Sequence, residues 1–334
     1  MSPTSSMANA RRTARGLTAA AGAVFLIGAT AAAQDASPAP STGAGPSQQV
    51  PIVVSTVEPS AELTALWNGD IGGAPSTWTP RIDPEGRIWT SPIESNGFRI
   101  FDADGALIEE WGVSGDGDGQ LRSGGGPHAL SIAFAPDGTF YVADTGNRRI
   151  QHFDADRTFL GSFGAFGTDS DQFVSPIEIA LDDAGDIYLF DDELGTIKQF
   201  TGTGEFVREV ACGGPFLDVT ADGTILAFDN RAGTGVLNRC GPDGSVVPWL
   251  DLDEMVGFGT GIVVGPDGDL WLGSTTSGDD TEQPEGLLHL SPDGTVLGRW
   301  EVPVEGFDVD PTSGRLYAAY WRQPSLAAYH LPTE

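Results

Sequence analysis

One turn recurs along this chain, and its recurrence limits the possible folds more than any other feature. Asp83-Pro84-Glu85-Gly86, Ala135-Pro136-Asp137-Gly138, Asp182-Asp183-Ala184-Gly185, Thr220-Ala221-Asp222-Gly223, Gly265-Pro266-Asp267-Gly268 and Asp310-Pro311-Thr312-Ser313-Gly314 all close on a glycine. That glycine supplies the positive φ a tight reversal needs, and the prolines preset one backbone angle. A short apolar run follows each turn: Arg87-Ile88-Trp89, Phe140-Tyr141-Val142, Ile187-Tyr188-Leu189, Ile225-Leu226-Ala227, Leu270-Trp271-Leu272 and Leu316-Tyr317-Ala318. Aromatic and branched residues of this kind fit a pleated, buried surface.

The fullest copy runs from Ser131 to Gly164 and contains four short strands separated by turns at 135–138, 144–147 and 154–157. Such a meander is too small to stand alone with two apolar faces. Six copies, spaced by about forty to fifty residues, predict a six-bladed β-propeller in which each sheet buries both faces against its neighbours. The last copy has only three strands, ending at Ser325 to His330, while Ala61 to Gly69 looks like a fourth strand without a blade. The N-terminal strand is therefore expected to complete the C-terminal blade and close the ring.

Residues 1–33 read as a signal peptide: Arg11, Arg12 and Arg15 precede an apolar run that ends in Ala31-Ala32-Ala33. The alternative is a retained anchor, since the run is nearly long enough to span a bilayer. Residues 34–52 are Ser-, Pro-, Gly- and Ala-rich and read as a disordered linker, with the propeller occupying 53–334. The expected location is secreted or extracytoplasmic, with membrane tethering if the signal segment stays.

The formal net charge is -30. A surface of that sign repels nucleic acid and anionic membrane, so neither is expected as a partner. Much of the acid lies in Asp-Gly turns, where turn chemistry and solubility account for it. Cys212 and Cys240 are an even pair in an exported chain, which invites a disulfide. Placed on the meander, however, they fall at opposite ends of one blade, farther apart than the roughly 7 Å a bridge permits, so two free thiols are expected.

Tyr141 to Gln151, followed by Phe153-Asp154, resembles the signature of NHL-repeat propellers, and Ile179 to Leu181 with Ile187 to Leu189 is a second, weaker copy. The resemblance implies the six-bladed fold. It leaves function open, because such propellers include protein-binding modules, extracellular sensors and a few lyases. Recognition is expected on the face that gathers the loops between blades and those joining second to third strands. It carries His128, Glu94, Asp144, Asn147, Arg148, Glu178, Asp191, Asp229, Arg231 and Arg322, together with an acidic insertion over 274–285.

Pro127-His128-Ala129-Leu130 is similar to the Pro-His element of peptidyl-hydroxyglycine amidating lyase and of streptogramin-lyase-like propellers. In the former, such histidines converge on zinc from several blades. Here the equivalent positions near Thr79, Glu178, Phe216, Gly261 and Gly306 hold no histidine, and His152, His289 and His330 sit on or beyond third strands, away from the channel. A zinc site needs about three protein ligands. His128 and Glu178 are thus the candidates for a partial metal or acid–base site, and channel carboxylates with Asn147 suit calcium in chemistry. The leading expectation is an exported module that binds a protein, peptide or small molecule at the channel face. The alternative is a zinc- or calcium-dependent lyase or hydrolase at the same place.

Overall fold

The computed structural model describes residues 52–53, 64–70, 80–92, 95–124, 130–228, 235–252, 258–275, 286–302, 304, 306–310, 312–320 and 325–331. They form six sheets, the blades of a propeller, each built on four antiparallel strands and one of them, blade 4, extended by a fifth. From the axis outward, blade 1 runs Arg81–Ile82, Ile88–Thr90, Phe98–Phe101, Leu107–Trp111, and blade 2 runs Ser131–Phe134, Phe140–Asp144, Arg149–Phe153, Phe159–Phe163. Blades 3, 4 and 5 begin at the inner strands Pro176–Leu181, Leu217–Val219 and Phe258–Val264. Blade 6 takes Gly306–Asp310, Arg315–Tyr320 and Ser325–His330 from the C-terminal part of the chain and Thr64–Asp70 from the N-terminal part.

That last pairing confirms the closure read from the sequence. Thr64 lies opposite His330 and Asp70 opposite Ser325. The hairpin glycines behave as their turns require: Gly86, Gly138, Gly185, Gly223, Gly268 and Gly314 all have φ between 64° and 86°. A further regularity was not anticipated. Every blade carries a register shift between its third and fourth strands, as at His152/Phe153, Gln199/Phe200 and His289/Leu290. Such bulges increase local twist, which lets the outer strand of each blade swing away from its neighbour.

The hydrophobic core is divided into six clusters, one per seam between blades. Trp89, Phe98, Phe140 and Phe153 fill the seam of blades 1 and 2; Leu189, Ile179 and Phe200 pack with Ala143 and Ile150 in the next. The sixth cluster, Ile88 and Phe101 against Tyr317, Ala319, Leu326 and Ala328, joins blade 6 back to blade 1. Alternation along each strand sends one set of side chains to each seam, so both faces of a blade are buried.

Blade 4 carries a fifth strand. Ile52–Val53 pairs in parallel with Leu250 and Asp251 on its outer edge, at the point where the sequence ends the linker.

The cysteine expectation is corrected. Cys212 and Cys240 form a disulfide with Cα atoms 5.9 Å apart, and both are buried. The connection from blade 3 to blade 4 does not stay on the face of the ring. It sinks into the seam beside the third strand of blade 4, where Asn238 donates from Nδ2 to the Cys212 carbonyl at 2.9 Å. The chain thereby crosses the separation that a plain meander would leave between the two sulfurs.

Candidate functional site

Each inner strand presents alternate side chains to the axis. The position two residues before each first-hairpin turn is Arg81, Ala133, Ala180, Asp218, Val263 and Asp308 in blades 1 to 6. Two residues earlier stand Ser131 and Glu178 in blades 2 and 3. The channel wall thus gathers one guanidinium and three carboxylates.

Arg81 reaches from blade 1 to blade 3, where its Nη2 lies 2.5 Å from Glu178 Oε1. Ser131 Oγ donates to Glu178 Oε2 at 3.4 Å and accepts from the Ile179 N–H at 3.3 Å. The two aspartates each hold a seam. Asp308 accepts from Val309 N–H at 2.8 Å and, across the ring closure, from Ile82 N–H at 2.9 Å. Asp218 does the same for blades 4 and 5, accepting from Val219 and Val264 N–H at 2.8 Å each.

This polar belt is one end of a cavity of about 690 Å³. Arg81, Asp218 and Asp308 line it, with Ile262 and Val309 as apolar wall, and it extends to the hairpin turns around Pro84. The opening lies at the first-hairpin end of the channel, opposite the loop-bearing face on which recognition was expected.

Burial governs the protonation of this belt. It pushes Glu178 up to about 7, against the opposing pull of Arg81 and Ser131 and with a further push from the charge on Asp218. Asp218 is likewise pushed up to about 6, its backbone N–H donors and Arg81 only partly offsetting the cost. Burial raises Asp308 too, opposed by Arg81 and the N–H groups of Ile82 and Val309. For Arg81, burial alone would lower the pKa, but Glu178, Asp308 and Asp218 outweigh it and hold the guanidinium charged. Arg81 and Glu178 keep 17 % and 14 % of their side-chain surface exposed, so they are enclosed without being dry.

The other residues named from the sequence divide into two groups. Asp144 is fully buried and anchors a loop: it accepts from Arg122 N–H, Asn147 Nδ2, Arg149 Nε and Gln151 Nε2 at 2.8 to 2.9 Å. Asn147 also donates to the Gly115 carbonyl at 2.8 Å. Asp191 plays the same part in blade 3, accepting from the N–H groups of Val174 and Ser175 at 2.7 and 3.0 Å. Arg148 has left-handed backbone angles, and its guanidinium lies 4.9 Å from the Phe166 ring centroid. Of the described members of the set, Glu178 alone enters the channel belt. His128, Glu94, Asp229, Arg231 and Arg322 lie outside the described residues, as does the insertion over 276–285.

The described histidines of the third strands stand away from the channel. His152 stacks on Tyr141 at 4.2 Å, and His289 stacks on Trp271 at 3.9 Å while its Nε2 lies 2.5 Å from Asp269. Among the described residues no three of His, Cys, Asp and Glu come together as a metal would require. The described residues therefore do not fit zinc or calcium.

Arg81, Asp218 and Asp308 were missed in the sequence. The signal was present: aligning the six turns and stepping back two residues, rather than four, picks out charged residues at three positions where the other blades have Ala, Ala and Val.

The NHL repeat family matches residues 127–153, a span that includes the inner, second and third strands of blade 2. The chain is a six-bladed propeller whose blade 2 matches the NHL repeat. Among solved structures the propeller is similar to a gluconolactonase from Xanthomonas campestris, with a TM-score of 0.59, 17% identity, and coverage of 78% of this chain and 87% of that one. It is also similar to a putative gluconolactonase at a TM-score of 0.57, 16% identity, 81% and 94% covered. A third is virginiamycin B lyase from Staphylococcus aureus at a TM-score of 0.54, 15% identity, 81% and 99% covered. At these identities the likeness is one of fold. No curated protein sequence matches the chain.

Proposed function

We propose that this NHL propeller is an exported ligand-binding module whose site is the axial cavity at the first-hairpin end. One observation carries the reading. Four ionisable side chains converge half-buried on the channel, where partial loss of hydration costs free energy before pairing offsets it. Packing alone does not ask for Arg81, Asp218 and Asp308, since blades 2, 3 and 5 use Ala133, Ala180 and Val263 at the same position. A cavity of about 690 Å³, with apolar walls and a few convergent polar groups, is of the size and character that small ligands occupy.

A second reading, acid–base catalysis in the same cavity, is favoured by Glu178, which titrates near neutrality beside Ser131. A carboxyl so tuned can give or take a proton at working pH. That structures of similar fold are named as gluconolactonases and a lyase supports this second reading. Export is supported by the buried disulfide, a bond that persists in oxidising compartments, and by the basic and apolar N-terminal segment. The charge of -30 speaks against nucleic acid as a partner.

A thermal-shift screen of small polar molecules tests the reading when run in parallel on the native chain and on Ala133→Phe, which fills the cavity from blade 2. Ligand at about 100 times its Kd stabilises a protein by roughly 2.7 kcal/mol. Compounds that raise the melting temperature of the native chain and leave the variant unchanged support the cavity. Compounds that shift both equally place the site elsewhere.

A further inference from the structure

We propose that the axial cavity takes a small organic cation carrying an alkylguanidinium or primary ammonium group, and that Arg81 competes with it from within for the same carboxylates. The inference rests on the cavity reading above and adds the class of ligand.

Three features of the belt lead to it. The first is the ratio of charges. Among the described residues Arg81 is the one cationic side chain on the cavity wall, and it faces Glu178, Asp218 and Asp308. With all four ionised the belt carries two negative charges in excess, so an anion is repelled and a second cation is drawn in. The second is the state of the aspartates. Each of their oxygens accepts one backbone N–H, at 2.8 to 2.9 Å, and a carboxylate oxygen has room for two donors. The unused acceptor capacity belongs to groups that line the cavity. The third is Arg81 itself. A guanidinium is already seated against a carboxylate of this belt at 2.5 Å, which shows that a planar, five-donor cation fits there.

The seat is not saturated by its resident. Arg81 pairs directly with Glu178, in blade 3, while Asp218 and Asp308 act on it through space. Those two carboxylates are the ones a ligand cation reaches in the belt after passing Asp83, Glu85 and Asp310, which line the cavity at the hairpin end. Contact with Glu178 requires Arg81 to yield it, and this sets the competition. Neutral hydrogen-bond donors of the same shape gain little, because the attraction is to charge.

The experiment is calorimetric titration at pH 8 of the native chain, of Arg81→Ala, and of Arg81→Ala combined with Asp218→Asn and Asp308→Asn. The probes are ethylguanidinium and its neutral near-isostere N-ethylurea. Arg81→Ala is expected to bind ethylguanidinium at least about tenfold more tightly than the native chain, which is about 1.4 kcal/mol, to ignore N-ethylurea, and to lose the binding with both aspartates. Arg81→Met, which keeps the packing of the stem, makes the same comparison if Arg81→Ala gives no cooperative melt. Recovery of such a melt by millimolar ethylguanidinium also supports the proposal; a variant that folds neither alone nor with the probe overturns it. Equal uptake by the native chain and Arg81→Ala overturns the competitor role and leaves the cavity reading standing. Uptake of both probes alike, or of neither, overturns the cationic class, and the cavity is then judged by the Ala133→Phe comparison.

Discussion

The seam between blades 1 and 2 and the seam between blades 6 and 1 do the same work with different materials. In the first, Trp89 packs within 5.3 to 5.9 Å of Phe98, Trp111, Phe134 and Phe140, and its indole N–H donates to Asp83 at 2.7 Å. In the second, the buried residues include two alanines, Ala319 and Ala328, and blade 1 is reached by polar bridges. Asp308 holds the Ile82 N–H, and Arg315 Nη1 donates to the Ala103 carbonyl at 2.8 Å. The aromatic seam joins blades that follow each other in the chain. The closing seam joins segments some two hundred residues apart, and there hydrogen bonds with fixed geometry choose the partner where apolar area is scarce. Directional contacts specify register, whereas apolar area supplies bulk stability.

The largest effect should come from attacking closure itself. Deletion through Asp70 removes the outer strand of blade 6 and is expected to abolish the cooperative thermal transition, while deletion through Pro51 leaves the melting temperature nearly unchanged. Equal melting of the two truncations would mean that the N-terminal strand is not part of the closing seam. Next comes the aromatic seam. Trp89→Ala opens a cavity where the ring is 1 % exposed, at a cost of about 3–5 kcal/mol by denaturant unfolding. A loss under about 1 kcal/mol would show that the cluster is looser than its ring distances suggest.

The smallest effect is one of pH, and it should act on the channel belt, of which Asp308 alone belongs to the closing seam. Glu178 and Asp218 have folded pKa values of about 7 and about 6, both raised, and Asp308 is raised too. For an acid raised by folding, the protonated form is the one the fold prefers. The contribution is therefore complete below the ordinary carboxylate range and is lost as pH climbs through 6 and 7. The domain should melt at a higher temperature at pH 5 than at pH 8, with a smaller difference in Glu178→Gln. An unchanged difference in that variant would place the titrating groups elsewhere.

The ring and its closure were legible because they rest on local chemistry repeated six times: a glycine forced to positive φ, an aromatic or branched strand behind it, and a three-stranded remainder at one end matched by a lone strand at the other. Glu178 was legible as a channel residue for the same reason. The disulfide was not, because it depends on how deeply one connection sinks between blades, and Cys212 and Cys240 carry no mark of that. The loop anchors show a different limit. Asp144 and Asn147 stand out in sequence as polar residues in a loop, yet their partners are backbone groups around Gly115 and Arg122, which residue types do not reveal. Arg81, Asp218 and Asp308 belong to no local motif, and only the alignment of all six turns sets them on one level of the channel.

The outer strand of blade 6 also has a bearing on biosynthesis. Thr64–Asp70 leaves the ribosome well before Ser325–His330, its hydrogen-bonding mate, has been made. A nascent polypeptide of this design cannot close its ring until that later strand has emerged.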